Sequence, residues 1–466
     1  MIREDILKTL PEEGIDAENP GEYRALLEDL QGNILKGHGR KHSVHLFLKF
    51  KDGQIDKVKE WIHNFAFKYV KSAFQQSQEA VCYRQEKISG GLFANLFLSC
   101  NGYEYLDIRP YKIPADQAFR YGMKNKDIQN SLSDPSLEEW EQGFANEIHA
   151  LVIIANSNLS CLQENVNTIK QELPQLADIV QQDDGFILKN KAGNTIEHFG
   201  FVDGISQPLF LKRDINKAQE ESDFSQWDPR ASLDIVLVKD PNGKTDYSYG
   251  SYLVYRKLEQ DVEGWNKDVR ILATKLRISV DLAGALIMGR FQDGTPVTLS
   301  DQAKNVLPNN FNFDSDTEGT RCPFHAHIRK TNPRGDTGRV VSSPSYAESL
   351  EKERDHRITR RAMSYGESDS TKEPKEGSGM LFMCFQADIS NQFNFMQAGW
   401  SNQKNFVNVN VGQDPVIGQS EGPQKWPTKW GESETMDYDF QKWVKMMGGE
   451  YFFAPSISFL KTIVEN

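Results

Sequence analysis

GFVDGISQP, residues 200–208, sets one carboxylate, Asp203, between two glycines in an otherwise apolar run that ends in proline. Glycine tolerates positive φ and close backbone approach, aspartate suits turns and proline ends regular structure, so a surface turn uses the same residues. The choice between a bare turn and a positioned carboxylate depends on what surrounds the segment.

Upstream, VHLFLKF (44–50) reads as a strand and QIDKVKEWIHNFAFKYV (54–70) has helical spacing. A second strand, HALVIIA (149–155), precedes a helix-like SCLQENVNTIKQEL (160–173). Downstream the mixture repeats: GSYLVYRKL (250–258) is a strand, VRILATKLRISVDLAGALIMGR (269–290) is mostly helical, and GMLFMCFQADI (379–389) is a buried strand. Residues 214–232 carry few apolar side chains and read as a surface connection, and 364–379 as a solvated loop. Strict β–α alternation is missing, so the expectation is an α+β fold with antiparallel sheets rather than a doubly wound one. The soft boundary divides the chain into halves 1–225 and 226–466.

The 466 residues give ample core, and 38% hydrophobic with 26% charged residues suit a globular chain. A net charge of −12 argues against general affinity for nucleic acid or anionic membrane, because phosphate binding needs a basic face. The start, MIREDILKTLPEEG, has acids and no apolar core of a leader, and no run approaches the ~18 apolar residues of a spanning helix. A cytoplasmic protein, with neither nucleic acid nor membrane as partner, is expected. Five scattered cysteines without a C-x-x-C pair suggest reduced thiols rather than disulfides or zinc.

Two further stretches carry chemistry. In RCPFHAHIRKTNPR (321–334), His325 and His327 share one face of an extended chain, which would suit a non-haem metal, but no H-x-x-x-H or nearby carboxylate pattern completes a ligand set. Cys322 could serve haem as a thiolate, yet its Cys-Pro pair lacks a glycine-rich approach and packing is the better reading. HRITRRAMSYG (356–366) brings together Arg357, Arg360 and Arg361, and alone would be a solvated basic helix end.

Together these stretches resemble the dye-decolorizing peroxidases. GFVDG matches that family's G-x-x-D-G motif, CPFHAHIRKTNPR resembles its proximal-histidine segment and RITRRAMSYG its distal-arginine segment, in family order. LQGNILKGHGR (30–40), GSYLVYRKLEQDV (250–262), LIMGRFQDGTPV (286–297) and GMLFMCFQADISNQF (379–393) also look like family segments, so the resemblance covers nearly the whole chain and is greatest to the longer fungal and cyanobacterial branch.

The resemblance implies two ferredoxin-like halves and one b-type haem per chain, held mainly by the C-terminal half. Activity would use hydrogen peroxide to oxidise dyes and phenolic or other aromatic reductants through the intermediate called Compound I. His327 takes the place of the axial iron ligand, and His325 matches no ligand position. Asp203 maps onto the distal acid that carries a proton between peroxide oxygens, which favours acidic pH. The glycines at 200 and 204 would let the backbone approach the porphyrin edge, so Gly204 joins the cofactor-binding set. Arg360 maps onto the distal arginine, with Arg361 as its rival under a one-residue shift. Arg334 resembles the haem-propionate partner, and a guanidinium fork suits a carboxylate. Met380 and Phe382 match apolar residues of the distal pocket, the methionine standing where relatives commonly have leucine. An axial histidine needs an acceptor for its second N–H, and Asp414 in GQDPVIGQ is the candidate, an Asp-Pro turn being the other reading. Large dyes would give up electrons at surface tyrosines or tryptophans, among which 15 Tyr and 8 Trp offer no choice by composition. The competing readings are a haem-handling protein with incidental peroxidase activity and a non-haem H-x-H metalloprotein.

Overall fold

The computed structural model describes residues 7–8, 10–339 and 346–465. The first six residues of the start read above for a leader lie outside them. Among the described residues no helix is long and apolar enough to cross a membrane.

Each half is built from one strand–helix–strand–strand–helix–strand type of unit. In the first, β1 (His42–Phe50) leads to helices α1 (Ile55–Lys68) and α2 (Ala73–Glu86), then β2 (Phe93–Leu98), β3 (Ala150–Asn156), α3 (Leu159–Glu172) and β4 (Ala177–Phe186). A helix α4 (Lys212–Glu221) intervenes before β5 (Tyr249–Gln260), α5 (Val262–Leu276), α6 (Val280–Met288), the short α7 (His327–Thr331), β6 (Met363–Tyr365), β7 (Gly379–Gln386) and β8 (Val444–Ala454). Strand order is β2-β3-β1-β4 in the first half and β8-β5-β7-β6 in the second, all antiparallel, the order of a ferredoxin-like sheet in each.

The two sheets are not separate. Phe453 of β8 pairs with Leu98 of β2, and Ser364 of β6 pairs with Phe186 of β4. The ten-stranded sheet also has β5 paired with β7, so all but its two short edge strands, Val238–Lys239 and Thr359–Arg360, close into a barrel. Full closure removes unpaired edges. Its interior is filled with rings: Phe47 meets Tyr255 and Phe144 with centroids 4.9 Å apart in each case.

Because α3 packs outside β1 and β3 while rings fill the inside, β3 is buried along its whole length, which is why its sequence runs apolar without alternation. Alternation on β5 does the sorting that matters for function. Tyr255 and Lys257 point into the barrel, where Lys257 Nζ donates to Asp183 (2.7 Å), and Arg256, Leu258 and Gln260 point outward to a cavity. Beyond that cavity lies a second apolar cluster that includes Trp265 on α5, Leu286 on α6, Phe199 and Phe201.

Three sequence expectations need correction. The connection expected over 214–232 begins as helix α4, which one apolar side chain, Ile215, anchors at zero exposure; a single anchor leaves no apolar period to read. The helical stretch over 269–290 is two helices, parted where Arg277 takes φ +58° and Ser279 caps α6 by accepting from Leu282 N–H at 3.2 Å. The loop expected from 364 starts instead with β6, three residues long and too short to show a period, although it completes the barrel.

Candidate active site

A cavity of about 230 Å³ lies between the outer face of β5 and β7 and the second apolar cluster. Asp203, His327, Arg334, Arg360, Met380 and Phe382 all line it. The tertiary fold thus brings together residues up to 179 positions apart in sequence, 203 to 382.

His327 opens α7, and the other faces of this five-residue helix are tied down. Arg329, at zero exposure, donates to Asp316 Oδ2 (2.9 Å) and Asp336 Oδ2 (2.5 Å), Lys330 Nζ donates to Trp400 O (3.0 Å), and Thr331 Oγ1 donates to His327 O (2.9 Å). Arg329→Ala would strand two buried carboxylates, and a loss of about 3–5 kcal/mol is expected, measured as a fall in melting temperature. The imidazole Nδ1 lies 2.8 Å from Asp414 Oδ2. A carboxylate only accepts, so Nδ1 carries the proton and Nε2 keeps its lone pair for the cavity. The other oxygen of Asp414 accepts from Val416 N–H (2.8 Å) and Ile417 N–H (3.2 Å), so one side chain holds both the Asp-Pro turn and the ring.

His325, two residues earlier, is fully buried and packs edge-on to Trp426 at 4.2 Å, away from the cavity; burial pulls it down to about 3, keeping it neutral. Cys322 is also buried, its thiol pushed up to about 12 by burial, and it does not line the cavity. Among the described residues no three or more His, Cys, Asp or Glu side chains gather as a metal-ligand set.

Asp203 is held by its loop. Its N–H donates to Thr195 O (3.0 Å), and the preceding Val202 N–H donates to Gln292 O (3.1 Å). Gly200 takes φ +92°, and a Cβ there would come within 2.8 Å of Gln292 Nε2. Gly204 takes φ +82° with open space around it, and it is not among the cavity-lining residues. The glycines therefore shape the turn by their positive φ.

Arg360 sits on the edge strand beside β7, its Nη1 3.7 Å from Asp203 Oδ1 and its Nη2 donating to Ile205 O (2.9 Å). The two side chains keep 31% and 28% exposure and both line the cavity. Arg361 turns the opposite way, its guanidinium bonding Asn33 O (2.6 Å) and Ile34 O (2.7 Å) in the 30–40 segment. Strand alternation separates the two arginines, which sequence matching left one residue apart. The basic run is not a solvated helix end: Arg357 is half-buried and donates to Arg230 O (3.1 Å), its guanidinium lowered to about 9 by burial and next by Arg354.

Arg334 donates to Phe311 O (2.5 Å), Asn309 O (2.8 Å) and Ser206 Oγ (2.9 Å). Burial, and after it Arg290, hold its guanidinium well below the usual range, and burial brings Arg290 down to about 10. Two buried guanidiniums in one wall favour an anionic guest. Among the polar groups, Phe201, Ile205, Leu258, Ile328, Phe382 and Phe393 supply an apolar lining. Phe393 and the adjacent Met396 lie on consecutive π-helical turns, Ser390–Asn394 and Met396–Ser401, a form that favours functional sites and has no sequence period to reveal it. Glu197, Arg256, Gln260 and Arg290 also line the cavity and were missed from sequence; Arg256 and Gln260 lay within the marked GSYLVYRKLEQDV and Arg290 within LIMGRFQDGTPV, while Glu197 lay in none.

A lone-pair imidazole backed by a carboxylate, a carboxylate paired with a guanidinium, and an apolar space with buried cations fit a porphyrin and are the groups that a haem peroxidase requires. The comparisons agree. Residues 29–187 match the DyP dimeric alpha+beta barrel domain and residues 286–408 the C-terminal domain of Dyp-type peroxidases. The chain is 36% identical to the multifunctional dye peroxidase DyP2 of an Amycolatopsis species, over 95% of this chain and 97% of that one. The crystal structure of a DyP-type peroxidase from Anabaena sp. superposes with a TM-score of 0.97 at 60% identity, covering 99% of this chain and 100% of that one. A fungal DyP-type peroxidase from Auricularia auricula-judae superposes with a TM-score of 0.75 at 26% identity, covering 94% and 99%. The chain belongs to the dye-decolorizing peroxidase family, enzymes that carry haem and oxidise dyes with hydrogen peroxide.

Proposed function

We propose that the cavity would hold one b-type haem, mainly through the 226–466 half, with His327 binding its iron, Asp203 as proton carrier and Arg360 as charge stabiliser. The observation that carries this reading is the convergence on one cavity of the His327–Asp414 pair and the Asp203–Arg360 pair, 2.8 Å and 3.7 Å apart within each pair. Bound haem supplies the iron that passes oxidising equivalents from peroxide to a reductant. The chain's own groups do the rest. Asp203 takes the proton from one peroxide oxygen and returns it to the departing one. Arg360, anchored by Ile205 O, stabilises negative charge on the departing hydroxide. Asp414 fixes the tautomer and orientation of His327 and raises its basicity. Arg334 would pair with a carboxylate of the bound haem, and Met380 and Phe382 would form its apolar wall. Dyes and phenolic or other aromatic compounds are the reductants.

Purified protein reconstituted with haem is expected to show a strong Soret band and to bleach dyes with peroxide, and a colourless preparation that takes up no haem would sink the reading. Asp414→Asn keeps a partner for Nδ1 but removes its charge, so the iron's reduction potential should rise and activity drop by about 10–100-fold. Potentiometric titration beside initial dye-bleaching rates checks both.

A further inference from the structure

Glu197 lines the same cavity as Asp203, six residues before it, with only 8% exposure. The chain between them folds around its carboxyl. Phe199 N–H donates to Oε2 (2.8 Å), Phe201 N–H donates to Oε1 (3.0 Å), and Gln260 Nε2 donates to Oε2 (2.5 Å). The backbone closes the same turn, Gly200 N–H donating to Glu197 O (2.9 Å) and Glu197 N–H to Phe201 O (3.2 Å). Phe199 stacks on Trp265 at 4.1 Å, a contact that fixes the turn to α5. Asp203 hangs at the end of a turn whose centre is Glu197.

The geometry points to Glu197 as a positioning residue for Asp203: its carboxyl organises the 197–203 turn, and its charge sets how reaction with peroxide declines as pH rises. This rests on Asp203 acting as the proton carrier. Burial raises Glu197 to about 7 from an ordinary 4.5, against the lowering by its three donors, and Asp203 raises it further. The charged groups facing this corner are Asp203 with Arg360, Arg256 on β5, which is committed to Asp134, and Arg290, whose Nη1 donates to Gly294 O (2.7 Å) and Pro308 O (3.0 Å). From the α5 side Trp265 brings no charge. In acid, Glu197 is neutral and adds no charge beside Asp203 and Arg360. Above neutrality a second negative charge appears there. It offsets the positive charge with which Arg360 stabilises the departing oxygen, so cleavage of the peroxide bond slows.

The test uses the haem-loaded enzyme, mixed with hydrogen peroxide without dye from pH 5 to 9, with the rate of haem spectral change recorded. The parent's rate constant is expected to fall roughly tenfold between pH 6 and 8, the equivalent of one pKa unit of interaction. Glu197→Gln should hold it level within about twofold, and Gln260→Leu, which removes a donor favouring the charged form, should move the fall to higher pH. Infrared spectra read the group directly: a protonated-carboxyl band present at pH 5.5 and gone at pH 8.5 in the parent, and absent from Glu197→Gln. Stability gives a further sign. Between pH 4.5 and about 7 the folded chain keeps a proton that the unfolded chain has released, so Glu197's contribution falls as pH rises through that window and vanishes in the Gln variant. If Glu197→Gln keeps the parent's fall in rate while Asp203→Asn abolishes the reaction, the role of Glu197 is overturned and that of Asp203 stands. If Asp203→Asn reacts at the parent's rate, the reading of Asp203 fails whatever Glu197 does. Should Glu197→Gln not fold, an unchanged profile in Gln260→Leu overturns the inference by itself.

Discussion

Replacing His327 with alanine is expected to strip most of the haem from the protein and to slow dye oxidation by well over ~100-fold, beyond the ~10–100-fold that follows loss of a ligand's hydrogen-bond partner alone. The substitution removes the one imidazole whose Nε2 lone pair serves the cavity and leaves Asp414 Oδ2 without the ring it now holds at 2.8 Å. Only apolar packing and the cationic wall around Arg334 would then retain the cofactor. His325→Leu is the control. It keeps a buried side chain against Trp426 and removes both ring nitrogens, and its haem-to-protein absorbance ratio should stay at the parent's value. Haem lost from His325→Leu but kept by His327→Ala would reverse the assignment within FHAHIRK.

Asp203→Asn should keep haem and react with peroxide about 10²–10⁴-fold more slowly, because an amide cannot accept and return the proton. Arg360→Leu should cost about 10²–10³-fold through loss of the charge beside the departing oxygen. The double variant should fall short of the product of the two losses, since both residues serve the same bond cleavage. Stopped-flow mixing of each haem-loaded variant with peroxide, before any dye is added, isolates this step. Two variants that bind haem and still react at the parent's rate would mean that the Asp203–Arg360 pair does no chemistry, and a haem-handling protein with incidental activity would become the better reading.

Much of the fold is legible in the sequence. The alternating or apolar runs at 44–50, 149–155, 250–258 and 379–389 are β1, β3, β5 and β7 to within a few residues, and antiparallel α+β architecture followed from their order with the helices. The order of GFVDG, FHAHIRK and RITRRAMSYG pointed to the family and to Asp203, His327 and Arg360, because those side chains must occur as particular types in particular local frames. Local frame is what a short motif encodes.

Distance between motifs is not encoded that way. Closure of the barrel depends on single residue pairs, Phe453 with Leu98 and Ser364 with Phe186, which leave no period in either strand. Arg360 and Arg361 are alike as letters, and only the pairing of the Thr359–Arg360 strand with β7 turns one to the cavity and the other to Asn33. Asp414 looked like either a turn or an acceptor for His327, and the fold uses its two oxygens for both. Glu197 had no signal at all, being a carboxylate beside a motif. Its burial and its three donors arise where the turn meets Gln260, 63 residues on. The sequence by itself determined which side chains are available and the local backbone each prefers. The tertiary structure decided which of them share one low-dielectric cavity, because burial and charge coupling act through space between residues far apart along the chain.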